Sequence, residues 1–146
     1  MNDVEVYGSI KSKRALAENV AQFCITEMMP RMETLDITIH LDKLPEADGY
    51  CLAVTNREFQ IEIEKTLDEE DFITAVCHEM VHVKQFARGE TKDVNVFTKR
   101  WKGKEYLSAY STVDEYMNLP WEKEAYELQE KLLKKFKKSA FFCLQT

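Results

Sequence analysis

Glycine and proline are scarce, with four glycines and three prolines among 146 residues. Little material is left for long flexible loops or an interdomain linker, and the length fits one domain spanning residues 1–146. No C-x-x-C pair occurs. Cys24, Cys51, Cys77 and Cys143 are far apart, which excludes a cysteine-based zinc ribbon. In a reducing compartment they read as buried free thiols. No apolar run approaches the ~20 residues of a membrane span. The first residues, Met1-Asn2-Asp3-Val4-Glu5, have neither the basic nor the apolar region of a signal peptide. The expected setting is therefore cytoplasmic, without a membrane partner. Cations are in deficit as well: 20 Lys and Arg face 26 Asp and Glu, a net charge of −6. That balance argues against a nucleic-acid partner, since such affinity depends on neutralising phosphates.

What is present has clear periodicity. Leu16, Val20, Phe23 and Met28 form an apolar stripe on an expected helix from Lys11 to Met29, which Pro30 ends. Leu35 to Leu41 alternates strictly and reads as a half-buried strand. Pro45 to Gly49 is a turn cluster, followed by strand candidates at Tyr50–Thr55 and Phe59–Glu64. The next helix is the strongest. Thr66 or Asp68 can cap it, Glu69, Glu70 and Asp71 suit its positive end, and Gly89 is a plausible stop. Trp101-Lys102-Gly103-Lys104 has the character of a hairpin tip, and Pro120 opens a last helix with Trp121, Ala125, Leu128, Leu132 and Phe136 on its apolar side. The expected fold is α+β: a small, mostly antiparallel sheet packed against the central helix, with N-terminal and C-terminal helices completing the core.

The chemistry sits on that central helix. Cys77-His78-Glu79-Met80-Val81-His82 reads H-E-x-x-H and holds two of only three histidines in the chain. Residues four apart share a helix face with Cβ atoms ~5–6 Å apart, which lets two imidazoles reach one ion at ~2.0–2.1 Å. Glu79 lies between them and can take the proton of a water that zinc acidifies toward a pKa of ~7. Polar His and Glu among Val76, Met80, Val81 and Val83 would be costly to bury without a partner. A metal supplies one, with a satisfied core histidine pair as the bland reading.

Catalytic zinc usually takes three protein ligands and keeps one position open. His40, on the strand Leu35–Leu41, is one conceivable third ligand. The others are carboxylates in Leu119-Pro120-Trp121-Glu122-Lys123-Glu124-Ala125-Tyr126. Glu122 and Glu124 are about 200° apart on a helix, so only one can face the metal while the other meets solvent. Glu122 borders the buried side.

H-E-x-x-H followed by a helix carrying E-x-x-A resembles the gluzincin metallopeptidases. The compact length, and the Leu-Pro-Trp-Glu-x-Glu-Ala run after a Trp-x-Gly-x hairpin, resemble minimal gluzincin-type or SprT-like metallopeptidases of phages and bacteria. The resemblance covers roughly Asp68 to Phe136. It implies a zincin-like fold, Zn2+ as cofactor, a protein or peptide substrate, His78, His82 and Glu122 as metal ligands, and Glu79 as general base. It also implies a cleft-edge strand at Phe59–Glu64 that pairs with extended substrate. Such enzymes often add an oxyanion-stabilising Tyr or His; Tyr106, Tyr110 and Tyr116 are the candidates, with packing or surface tyrosines as the alternative. Thermolysin-like relatives place an Asp after the small residue to orient a ligand histidine. Here that position is Tyr126.

Zinc-dependent peptide hydrolysis is thus the expected function. The alternative is a zinc-binding interaction or regulatory module without significant turnover. Lys131, Lys134, Lys135, Lys137 and Lys138 read as solvated cations that complement a helix C-terminus, and not as a nucleic-acid patch.

Overall fold

The computed structural model describes residues 1–143, and for Cys143 the backbone alone. The chain opens with a strand, β1 (Asp3–Tyr7), then α1 (Lys11–Met28), β2 (Asp36–Asp42), β3 (Gly49–Ala53), β4 (Glu58–Glu64) and α2 (Glu69–Ala87). A second group follows: β5 (Thr91–Asp93), β6 (Thr98–Trp101), β7 (Lys104–Leu107) and α3 (Val113–Asn118). The chain then enters α4 (Pro120–Lys137) and a short α5 (Ala140–Cys143). The class is α+β, as expected.

The main sheet corrects the expected strand directions. Its order is β1-β2-β4-β3, and both the β1–β2 and β2–β4 pairings are parallel; only β3–β4 is antiparallel. The antiparallel reading missed β1, five residues whose only apolar signal is Val4 and Val6. With β1 in place, α1 becomes the crossover that two parallel strands require. The small sheet β5-β6-β7 is antiparallel throughout.

Phe59–Glu64 is also corrected. It lies within β4, paired on both sides, so it is not a sheet edge. The edge is β3. Its outward Tyr50 and Leu52 are exposed, whereas Ile61 and Ile63 of β4 are fully buried.

One face of the main sheet carries the core. Ile37, Ile39 and Leu41 of β2 and Phe59, Ile61 and Ile63 of β4 meet Val20, Phe23 and Cys24 of α1 and Phe72, Ile73, Val76 and Met80 of α2. Alternation along β2 and β4 leaves Thr38, His40, Gln60 and Glu62 on the other face. α2 is central to the packing, with α1, α4, β3 and β4 around it. Its start is fixed by the Asp68 carboxylate, which accepts from the Asp71 N–H at 2.9 Å, and its end by Gly89 at φ 71°.

Cys24 and Cys77 are fully buried free thiols facing each other across α1 and α2, with their sulfurs 3.8 Å apart. Burial pushes both the Cys24 and Cys51 thiols well up. The side chain of Cys143 lies outside the described residues.

Glu64 ties the end of β4 to the turn that launches α2. Its carboxylate accepts from the Thr66 hydroxyl at 2.7 Å, the Leu44 N–H at 2.7 Å and the Thr66 N–H at 3.0 Å. These bonds, that from the Thr66 hydroxyl foremost, pull its carboxyl down from 4.5 to about 2. A depressed native pKa contributes stability above the unfolded value that is lost as pH falls toward the folded one. Glu64→Gln is therefore expected to lower the urea midpoint at pH 7. The gap from the parent should narrow as pH falls from about 4.5 to about 2. A gap that stays constant over that range would refute this role for Glu64.

Candidate metal centre

Two turns of α2 and the first turn of α4 meet to build the site. Position 78 and position 82 project from the same side of α2, and their rings stand nearly edge to face at 5.0 Å between centroids. Pro120 starts α4 against this face and sets Glu122 in its first turn, where a carboxylate suits the helix dipole. The Glu122 carboxylate then spans both imidazoles. One oxygen lies 3.1 Å from His78 Nε2 and the other 3.2 Å from His82 Nε2.

The outer nitrogens are held by glutamines. His82 Nδ1 meets Gln85 Oε1 at 2.8 Å, and His78 Nδ1 meets Gln129 Oε1 at 2.8 Å. The orientation of Gln85 follows from its amide nitrogen, which donates to the Trp121 carbonyl at 2.9 Å and to Glu124 at 3.2 Å. Its oxygen must therefore accept, so His82 carries its proton on Nδ1. Gln129 donates to Glu130 at 3.3 Å and accepts from His78 in the same sense. In the neutral rings both Nε2 lone pairs then point at carboxylate lone pairs.

That arrangement repels itself unless the rings are protonated or a cation lies between them. The spacing suits a cation. The three donor atoms lie within 4.8 Å of one another, and a tetrahedral site with bonds of ~2.0–2.2 Å has ligand–ligand edges of roughly 3.3 Å. His78, His82 and Glu122 could thus hold a metal ion. Among the described residues, no fourth His, Cys, Asp or Glu joins the group.

Electrostatics show the strength of the coupling. Burial alone would raise the Glu122 carboxyl, but protonated His78 and His82, by hydrogen bond and by charge, outweigh it and hold it well below the usual range. Burial would lower His82, yet the Glu122 carboxylate beside it leaves it raised. Glu79 goes the other way: burial lifts its carboxyl, only partly opposed by His82 and His78. Glu79 is 6% exposed and has no hydrogen-bond partner among the described residues. Its carboxylate lies against Gly49 at the start of β3, where a Cβ would come within 3.1 Å of Oε2.

Two cavities flank this centre, and Glu79 lines both. The larger, about 910 Å³, opens on the His78 side between the turn before β3, the start of α2, the segment Tyr110–Tyr116 and α4. The smaller, about 220 Å³, opens on the His82 side along β3 toward Lys99 and Trp121.

No family model, no curated protein and no solved structure matches this chain.

The remaining candidates separate cleanly. His40 does not join the group; it stacks on Tyr7 at 5.7 Å, on the opposite side of the sheet from α2. Tyr106 packs edge-on against Trp121 at 6.1 Å. Tyr110 lines the larger cavity and touches Tyr116 at 4.9 Å. Tyr116 alone of the three lines both cavities; burial and the neighbouring Glu122 carboxylate push its phenol upward.

Glu124 is corrected. It does not meet solvent as expected but takes Lys84 at 2.9 Å and the Gln85 amide, because α2 runs along that side of α4. Burial opposes ionisation there, and the Lys84 and Gln85 bonds overcome it.

Gln85, Gln129 and α3 were not recognised as site elements from the sequence. Gln85 lies three residues after His82, and Gln129 seven after Glu122, so helical spacing carried both. α3 had a signal too: Thr112 accepts from the Glu115 N–H while Glu115 accepts from the Ser111 N–H, a variant of the reciprocal Thr-x-x-Glu cap. Tyr126, in place of an orienting Asp, lies with its ring 4.7 Å from that of His78.

Replacing Gln129 with Leu removes the acceptor that fixes the His78 tautomer. Divalent-metal affinity, read by competition with a chromophoric chelator, is expected to fall roughly 10–100-fold. Gln85→Leu should match that loss and also lower the melting temperature, because the buried Trp121 carbonyl loses its donor. Unchanged affinity in both variants would exclude the glutamines from tuning the site.

Proposed function

We propose that the chain is a zinc-dependent peptidase, with His78, His82 and Glu122 as ligands and Glu79 as general base. The observation that carries this reading is the pairing of a three-donor group with a buried carboxylate that has no partner of its own. A structural site would close its fourth position with a protein ligand and would have no use for Glu79. The donor set, two imidazoles and one carboxylate, fits zinc.

Zinc, when bound, would polarise a scissile carbonyl and acidify a water. The chain's own residues supply the rest. Glu79, pushed up by burial, is a carboxylate suited to take a proton from an attacking water and return it to the leaving amine. Tyr116, beside Glu122 and lining both cavities, would donate its O–H to a developing oxyanion. Gln85 and Gln129 hold both imidazoles with Nε2 free for the ion. The exposed edge of β3 runs beside Glu79 and offers unpaired backbone groups to an extended polypeptide.

Purified protein is expected to hold about one zinc per chain, and zinc at ~1,000 times its dissociation constant should add about 4 kcal/mol to stability. No uptake on titration would remove this reading. Glu79→Gln should keep the metal and lose roughly 10²–10⁴-fold in hydrolysis of casein. A wild type that binds zinc but cuts no unstructured protein would point instead to an interaction module.

Glu122→Ala and Glu124→Ala separate ligand from support. The first removes a donor and should abolish tight zinc binding. The second leaves the donors in place and acts through Gln85, Lys84 and Lys102, so its loss should stay within the roughly 10–100-fold range of supporting residues. A larger loss with Glu124→Ala would overturn the ligand assignment.

A further inference from the structure

The two cavities beside the metal centre differ in charge. The larger one is lined by Glu46, Asp48, Glu70, Asp71 and Glu130 in addition to Glu79, and by no lysine or arginine. The smaller one includes Lys99. If a divalent ion occupies the centre, Glu122 and Glu79 already balance it, so the five outer carboxylates gain no compensation from it. Of these carboxylates, Glu70 pairs with Lys137 at 2.7 Å. Asp48 and Asp71 have no ion pair or side-chain hydrogen bond among the described residues. Asp71 is crowded: the charge of Asp68, with some burial and the charges of Asp48 and Glu70, raises its carboxyl.

Rings add to the field. Tyr110, Tyr116 and Tyr126 line the same cavity, and an aromatic face attracts a cation within ~6 Å. The buried Glu79 carboxylate, without a partner of its own, points into the same space. That second feature marks the cavity as ligand-bearing, independently of the outer carboxylates.

We propose that this arm of the cleft is a subsite for a cationic side chain, lysine or arginine, of the polypeptide substrate. It rests on the peptidase reading of the metal centre, because the cavity is continuous with Glu79 and His78. Tyr50 begins the exposed part of β3, so a polypeptide laid along that edge passes the metal with one flank over Asp48 and Asp71. The preference therefore applies to one side of the scissile bond only. A long aliphatic stem suits the tyrosine-lined wall while its charged head reaches the carboxylates.

The test uses the full-length, zinc-loaded chain carrying Glu79→Gln, so that peptides bind without being consumed. The probes are ten-residue fluorescent peptides of Ala, Ser and Thr with one Lys, Arg, Leu, Gln or Glu at each position in turn. Lys and Arg peptides are expected to bind about tenfold tighter than Gln or Glu peptides when the residue falls on one flank. The gap should close on adding Asp48→Asn with Asp71→Asn, and in ~1 M salt, where the screening length falls to about 3 Å. Equal affinities, tightest binding by Leu peptides, or a gap untouched by the double substitution would overturn the subsite.

Wild-type cleavage, mapped by mass spectrometry, separates the two readings. Cuts with no Lys or Arg bias would leave the peptidase standing and remove the subsite. A charge preference in binding with no cleavage by wild type would do the reverse.

Discussion

Two imidazoles placed almost out of water on one face of α2 set the terms for the rest of this molecule. A buried ring nitrogen must be satisfied, and each ring has two. Gln85 and Gln129 settle the outer pair, and the buried bond from the Gln85 amide to the Trp121 carbonyl leaves the Gln85 oxygen to accept from His82 Nδ1. The inner pair then faces Glu122 with lone pairs outward, an arrangement stable only around positive charge. From this follow the close approach of α4 to α2, the proline that starts α4 at the right level, and the Lys84–Glu124 bridge that closes the far side of Gln85. The centre is thus a chain of hydrogen bonds, each of which fixes the polarity of the next.

Much of this was legible in the sequence because helical spacing and side-chain chemistry agreed. The motif helix, the Pro120 start and the Glu122 position all rest on i, i+3 and i, i+4 relations that survive in the structure. Strand direction was not legible. Alternation identifies a half-buried strand whether its neighbour runs parallel or antiparallel, so Leu35–Leu41 and Phe59–Glu64 gave no clue to their pairing. The missing information lay in β1, too short for a strong periodic signal, yet sufficient to turn α1 into a crossover and place β2 and β4 side by side in the sheet centre.

The misplaced edge strand came from the resemblance, which implied a cleft edge at Phe59–Glu64. In the sheet the hairpin of β3 and β4 sits outward and exposes β3. Glu124 illustrates a different limit. Its angular offset from Glu122 was read properly, but angular position on a helix says nothing about which neighbour waits there. α2 supplies a lysine and an amide on that side, so a residue expected in solvent becomes part of the support for His82.

Gly49 links the two layers. β3 must approach α2 closely enough to flank the cleft, and at that point it meets the Glu79 carboxylate. A side chain there would lie within 3.1 Å of both Glu79 Oε2 and Ile63 Cδ1, and 3.0 Å from the Glu62 carbonyl. The backbone carbonyl of Glu62 belongs to the β3–β4 ladder and cannot retreat without breaking register. Any larger residue must therefore displace either the strand or the carboxylate. Glycine at this position lets the exposed edge of β3 lie directly against the Glu79 carboxylate, which has no side-chain partner among the described residues.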